Sequence, residues 1–129
     1  MSNKQFLELA YGKDDFPLLR EGNCYFVDKT PYLKTVLTDQ SAVMLFTRPR
    51  RFGKTLLISM FDSFLKINPE KPFDNSKQLE LFKGTKILED KEFCDKFMGQ
   101  CPVITITLKK VDGTNFKEFY ESFASAVYD

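Results

Sequence analysis

The sequence predicts an α/β fold: two core strands of a three-layer sandwich, the helix that follows each, and a helical insertion between them. Three observations predict it. Ala42-Val43-Met44-Leu45-Phe46 is an apolar run with no polar alternation, the pattern of a strand covered on both faces. A basic turn follows and opens, at Gly53-Lys54-Thr55, into an amphipathic helix. Pro102 to Leu108 then reads as a second strand, with Ile104, Ile106 and Leu108 on one side and Val103, Thr105 and Thr107 on the other. Strand, phosphate-type loop and helix in that order specify a P-loop NTPase-type sandwich. Two core strands make it an incomplete one.

The elements follow in chain order. Phe6, Leu7, Leu9 and Ala10 predict one helical turn, stopped by Gly12. Asp14 to Glu21 reads as irregular, anchored by Phe16-Pro17 and Leu18-Leu19, and Tyr25-Phe26-Val27 as a short extended segment. Thr30-Pro31 starts a helix, because threonine caps and proline in the first turn gives up no needed donor. Tyr32, Leu33, Val36 and Leu37 share its inner face, and Asp39-Gln40-Ser41 ends it. The helix after the basic turn spans about Lys54 to Ile67, with Leu56/Leu57, Met60/Phe61 and Phe64/Leu65 as its stripe, and Asn68-Pro69 stops it.

Residues 68–100 are the insertion. A polar loop leads to a short helix around Leu79, Leu81 and Phe82 closed by Gly84. A second starts near Asp90, buries Phe93, Phe97 and Met98, and ends at Gly99. After the second strand, Asp112-Gly113 turns the chain. Asn115 with Glu118 forms a capping box for a last helix carrying Phe116, Phe119, Tyr120, Phe123, Ala124 and Val127 and running to Asp129. Residues 1–129 thus read as the N-terminal part of one domain.

Composition narrows the chemistry. With 43% apolar and 29% charged residues among 129, the chain can bury a core, which is rich in phenylalanine (14 Phe, no Trp). There is no histidine, and the three cysteines, Cys24, Cys94 and Cys101, lack paired spacing, so a Cys/His zinc site and a His-dependent triad are both excluded. No run approaches the ~20 apolar residues of a membrane span, and the N-terminus does not read as a signal peptide. A cytoplasmic location without membrane contact is the default expectation. The net charge of +1 gives no global attraction to nucleic acid, so any basic function is local. The one dense cluster is Arg48, Arg50, Arg51 and Lys54.

That cluster sits where a phosphate would bind. A helix start exposes N–H groups without intrahelical partners, and the helix dipole adds positive potential. Gly53 removes the Cβ from the approach, Lys54 is placed to reach the β- and γ-phosphates, and Thr55 offers a hydroxyl to Mg²⁺. Arg48, Arg50 and Arg51 add guanidinium charge, which holds phosphate oxygens bidentately. The general pattern is G-x-x-x-x-G-K-[ST], and Arg48 stands in place of its first glycine. The plainer reading is a strand–helix turn with solvated arginines.

Tyr25-Phe26-Val27-Asp28-Lys29-Thr30-Pro31-Tyr32-Leu33, followed by Thr47-Arg48-Pro49-Arg50-Arg51-Phe52-Gly53-Lys54-Thr55-Leu56, resembles the AAA-ATPase-like family of prokaryotic, largely bacterial, P-loop proteins. That family's own loop reads Arg-Pro-Arg-Arg-Phe-Gly-Lys-Thr, so Arg48 departs from the general pattern and not from the family. Leu81-Phe82-Lys83-Gly84 and Pro102-Val103-Ile104 resemble its later segments, and the likeness runs from about Phe16 to the end. It implies ATP and Mg²⁺ as ligands. The candidate nucleotide-binding stretch is Arg50, Arg51, Phe52, Gly53, Lys54, Thr55 and Leu56, with Thr55 also the candidate metal contact.

An acidic strand end, which would orient the attacking water, is not evident: Pro102 to Leu108 runs into Lys109-Lys110, and Asp112 lies in the next turn. In the resembling family that element comes later, and relatives continue into a nuclease-like domain that would bring nucleic acid as a partner. The expectation is therefore the ATP-binding, N-terminal fragment of an AAA-type ATPase, inactive in hydrolysis by itself and prone to self-association through open sheet edges. The alternative function is a non-enzymatic module whose Arg-rich loop holds nucleic-acid phosphate; a small stand-alone kinase ranks behind both. Near the adenine, Tyr25 or Phe26 would stack, beside Asp28 and Lys29; the plainer reading is core aromatics and a structural ion pair.

Overall fold

The computed structural model describes residues 7–128. Its architecture is helical. Among the described residues there is no β-strand and no sheet, only two single-residue parallel bridges, Glu8 with Cys24 and Lys66 with Cys101. This overturns the expected P-loop NTPase-type three-layer sandwich. The runs 42–46 and 102–108 have no regular secondary structure, Ala42 lying in a bend, and neither has a neighbouring strand to complete a ladder. Extended backbone becomes sheet only when a partner takes up its N–H and C=O groups. Val43 and Leu45 are 85% exposed and Ile104 is 87% exposed.

The buried core draws on several short helices spread along the described chain. Helix α1 (Phe16–Glu21) begins where Asp15 accepts a hydrogen bond from Leu18 N at 3.1 Å, with Pro17 in its first turn. It replaces the irregular segment expected there and buries Phe16 and Leu19. Helix α2 (Pro31–Thr38) starts at the expected Thr30-Pro31 and buries Leu33. Helix α3 (Lys54–Leu65) buries Met60 and Phe64 and turns Leu56, Leu57, Phe61 and Leu65 partly inward, the stripe that its periodicity predicts.

Residues 68–100 hold α4 (Ser76–Leu81), a 3₁₀ turn (Lys86–Glu89) and α5 (Lys91–Phe97), whose start is capped by Asp90 through Phe93 N at 3.1 Å. This stretch is integral to the core. Leu81, Phe82, Ile87, Phe93, Cys94 and Met98 belong to the same buried cluster as Phe16, Leu33, Met60 and Phe64. Aromatic rings run through it: Phe16 to Phe82 at 4.8 Å between centroids, Phe82 to Phe64 at 5.3 Å, and Phe64 to Phe93 at 6.0 Å. Burying each such ring contributes roughly 1.5–3 kcal/mol. Arg20 ties α1 to the end of α4, donating from Nε to Leu81 O at 2.7 Å and from a terminal nitrogen to Lys83 O.

Helix α6 (Phe116–Tyr128) has the expected cap, with Asn115 Oδ1 accepting from Glu118 N at 3.0 Å and Glu118 reaching back to Thr114 N at 2.9 Å. It is amphipathic, yet none of its described side chains is buried. Two expected features touch positions outside the described residues: Phe6, in the predicted first turn, and Asp129, the predicted end of the last helix. The described part of that first turn is extended, with Glu8 N donating to Asn23 O at 3.3 Å.

Candidate functional site

The turn between the 42–46 run and α3 is shaped by two residues in the left-handed region, Arg51 (φ 65°) and Gly53 (φ 76°). Glycine adopts that conformation without strain, and a side chain there costs about 1–2 kcal/mol. Gly53 O accepts from Leu57 N at 2.9 Å, which closes the first turn of α3. The N–H groups of Lys54, Thr55 and Leu56 therefore precede the first intrahelical bond. No side chain caps this end, and no acidic residue lies in its first turn. The positive end of a 12-residue helix is left without an anion of its own.

Cations surround it. Lys54 folds back so that Nζ donates to Arg48 O at 2.8 Å, within the same loop. Lys29, arriving from the segment before α2, donates from Nζ to Phe52 O at 3.3 Å. Two backbone carbonyls thus hold two ammonium groups beside the helix start, and neither lysine has a carboxylate partner among the described residues.

Two hollows flank the loop and share Gly53 and Lys54. One, of about 440 Å³, has the cations Lys29, Arg48 and Lys54 around an apolar wall of Phe46, Phe52, Leu57 and Ile58. The other, of about 790 Å³, lies between Arg51, Gly53, Lys54, Thr55 and Leu56 on one side and the 10–14 segment on the other. That segment is held alongside α3 because Phe16 N donates to Ser59 Oγ at 2.9 Å and Ser59 Oγ to Asp15 at 3.3 Å. Ser59 lies one turn beyond Thr55, so Asp14 and Lys13 come to border this hollow, while Lys13 Nζ itself donates to Cys24 Sγ at 3.2 Å.

The predicted stretch is thus divided. Gly53 and Lys54 border both hollows; Thr55, Leu56 and Arg51 border the larger one and Phe52 the smaller. Arg50 is exposed and borders neither. Leu56 also packs against the core, so its position is set by burial as well as by the loop. For magnesium, the fit is partial. Among the described residues no group of three or more carboxylates or thiols can hold a metal. Thr55 offers one hydroxyl, and Asp14 is the carboxylate bordering the same hollow. Such a donor set suits an ion that arrives already bound to phosphates and keeps most of its waters.

Of the two aromatics weighed as adenine contacts, Phe26 follows the plainer reading of a core aromatic. Phe26 packs edge-on against Phe16 at 5.5 Å and lies under the Arg20 guanidinium at 5.6 Å; Tyr25 borders neither hollow. Asp28 and Lys29 form no ion pair. Asp28 Oδ1 accepts from Thr30 N at 2.9 Å and from Thr30 Oγ1 at 2.6 Å, and its Oδ2 accepts from Lys86 N at 2.8 Å. Partial burial raises the Asp28 carboxyl, but the hydrogen bonds from the Thr30 side chain, Lys86 N and Thr30 N, with the Lys86 charge, outweigh it and hold the group below the usual carboxylate range. Thr30, expected as a helix cap, makes no capping bond; it is fully buried and accepts from Ile87 N at 3.2 Å. The sequence carries no local signal that Lys29 reaches the loop, because the contact depends on how α2 docks.

The family model AAA-ATPase_like, described as "Predicted AAA-ATPase", matches residues 10–129. No curated protein and no solved structure matches the chain.

Proposed function

The chain belongs to the AAA-ATPase-like family, and on that premise we propose that it binds a nucleoside triphosphate, ATP with Mg²⁺, at the start of α3. One observation carries the reading: an uncapped helix N-terminus on which Gly53 presents bare backbone while Lys54, Lys29, Arg48 and Arg51 gather without a carboxylate partner. Such a cluster is electrostatically incomplete until an anion enters. The triphosphate takes the N–H groups of Lys54, Thr55 and Leu56, and Lys54 exchanges Arg48 O for a phosphate oxygen by rotating its side chain. Thr55 would offer one hydroxyl to a Mg²⁺ ion arriving with the phosphates, and the ion would supply charge neutralisation. Arg51 adds charge from the side of the larger hollow.

The reading concerns binding and assigns no residue to hydrolysis. Titration calorimetry of Mg-ATP into the wild type and Lys54→Ala tests it. A charge-assisted contact is worth about 1.5–3 kcal/mol, so Lys54→Ala should bind at least about tenfold more weakly. Equal affinity in the two proteins would refute it.

A further inference from the structure

We infer that Lys29, which lies outside the loop, is a second ammonium of the nucleotide site, aimed at the triphosphate by a clamp built from its two neighbours in sequence. The inference rests on the nucleotide-binding reading above and adds a ligand contact that the loop sequence does not contain.

Three features of the structure converge on it. First, position: Lys29 Nζ is 3.3 Å from Phe52 O and 3.4 Å from where a Cβ on Gly53 would lie. The ammonium therefore stands at the one loop residue that has no side chain, beside the first open N–H groups of α3. Secondly, unmet charge: Lys29 shares its hollow with Arg48 and Lys54, and its ammonium donates to a single backbone carbonyl, with no carboxylate partner among the described residues. Three like charges lining one hollow favour the entry of an anion there. Phe52 O holds Lys29 as Arg48 O holds Lys54, so a phosphate entering between them replaces both carbonyls at once.

Thirdly, the aim is fixed. Asp28 and Thr30, on either side of Lys29, are bound to each other and to the 3₁₀ turn through Lys86 N and Ile87 N. Thr30 is fully buried. These four hydrogen bonds hold the backbone on both sides of Lys29 against residues 86–87 while its side chain reaches the loop. A flexible lysine thereby loses backbone freedom before any ligand arrives, which is the form preorganisation takes.

The test measures Mg-ATP and inorganic triphosphate binding by the full 129-residue chain, in the wild type, Lys29→Ala and Lys29→Arg, together with the thermal midpoint of each unliganded protein. Lys29→Ala is expected to weaken both ligands by at least about tenfold, the loss of one charge-assisted contact. Lys29→Arg should restore most of the affinity, and the unliganded midpoints should agree within about 4 °C. Equal affinity of wild type and Lys29→Ala, with Lys54→Ala impaired, overturns this inference and leaves the loop reading standing. An affinity loss that Lys29→Arg does not restore, accompanied by a large fall in the midpoint, makes Lys29 a brace for the loop and overturns it as well. A wild type that binds neither ligand defeats the loop reading itself, and the inference with it.

Discussion

Phe64 and Leu45 are comparable in hydrophobicity and belong to adjoining elements, but Phe64 is fully buried between Phe82 and Phe93 whereas Leu45 is 85% exposed. The contrast holds for whole regions. Helices α1, α3, α4 and α5 converge on one ring-lined core, each supplying a stripe that another covers. The unpaired runs 42–46 and 102–108 and helix α6 also carry apolar patterns, and most of their large side chains remain in water. Helices complete their backbone hydrogen bonds internally and need a neighbour only for one face. An extended segment needs a neighbour on each edge and, when apolar on both faces, a layer above and below as well. The loop lies at the border between these regions: its exit is α3, anchored in the core, and its entrance is the unpaired run.

The largest effect should come from opening the core. Phe64→Ala removes a ring packed against two others and is expected to cost about 3–5 kcal/mol, measured by urea unfolding. Leu45→Ala in the same assay should change stability by no more than about 0.5 kcal/mol. Similar losses in both variants would mean that the exposed run is packed in solution, and the contrast between the regions would disappear.

Much of this was legible in the sequence. The starts of α2, α3 and α5 and the cap of α6 come from local signals: Thr30-Pro31, Gly53-Lys54, Asp90, and Asn115 with Glu118. Helix α1 was equally legible in principle, since an aspartate followed by a proline in the first turn is a helix start; reading Phe16-Pro17 and Leu18-Leu19 only as anchors of an irregular segment hides it. The failure lay in the strands. Apolar runs report β-propensity and burial demand, but pairing is a property of the partner, which a local pattern does not contain. The turn into α3 was legible because its residues are contiguous. Lys29 and the 10–14 segment were not, because their approach to Gly53 and Thr55 is made by the docking of α1 and α2 onto their neighbours.

A smaller effect is expected at the clamp that joins α2 to the 3₁₀ turn. Asp28→Ala leaves the buried Thr30 hydroxyl and Lys86 N without their acceptor and should cost about 2–3 kcal/mol. The sign of the pH dependence follows from the depressed carboxyl. In the unfolded chain Asp28 takes up its proton first, at an ordinary aspartate value near about 4. Its contribution is therefore complete above that pH and is lost as pH falls through the lower, folded value. Acid unfolding of wild type and Asp28→Ala should converge below about pH 4; a difference that persisted undiminished at lower pH would rule the carboxylate out as the source.

Gly53→Ala comes next. The new Cβ has room, with only Lys29 Nζ near at 3.4 Å, but φ of 76° places alanine in the left-handed region. A cost of about 1–2 kcal/mol in stability is expected, detectable as a lowered urea midpoint. No cost would mean that the turn relaxes to another conformation, and the open N–H groups of α3 would lose the geometry on which the site depends.

The smallest stability effect should accompany the largest change in solution behaviour. Leu45→Lys and Ile104→Lys place charge on residues 85% and 87% exposed, so neither should shift unfolding by more than about 0.5 kcal/mol. Exposed, unpaired, apolar extended segments are templates for intermolecular pairing, and a lysine at such an edge blocks it. Light scattering of the wild type should therefore rise with concentration, and both variants should scatter less at matched concentration. Scattering unchanged by either lysine would place any self-association elsewhere, with the uncovered face of α6 as the next surface to charge, through Phe119 or Phe123. Destabilisation by either lysine would be more informative still. It would show that the run already has a cover in solution, and the same substitution would then strain the entrance of the loop and weaken Mg-ATP binding in parallel.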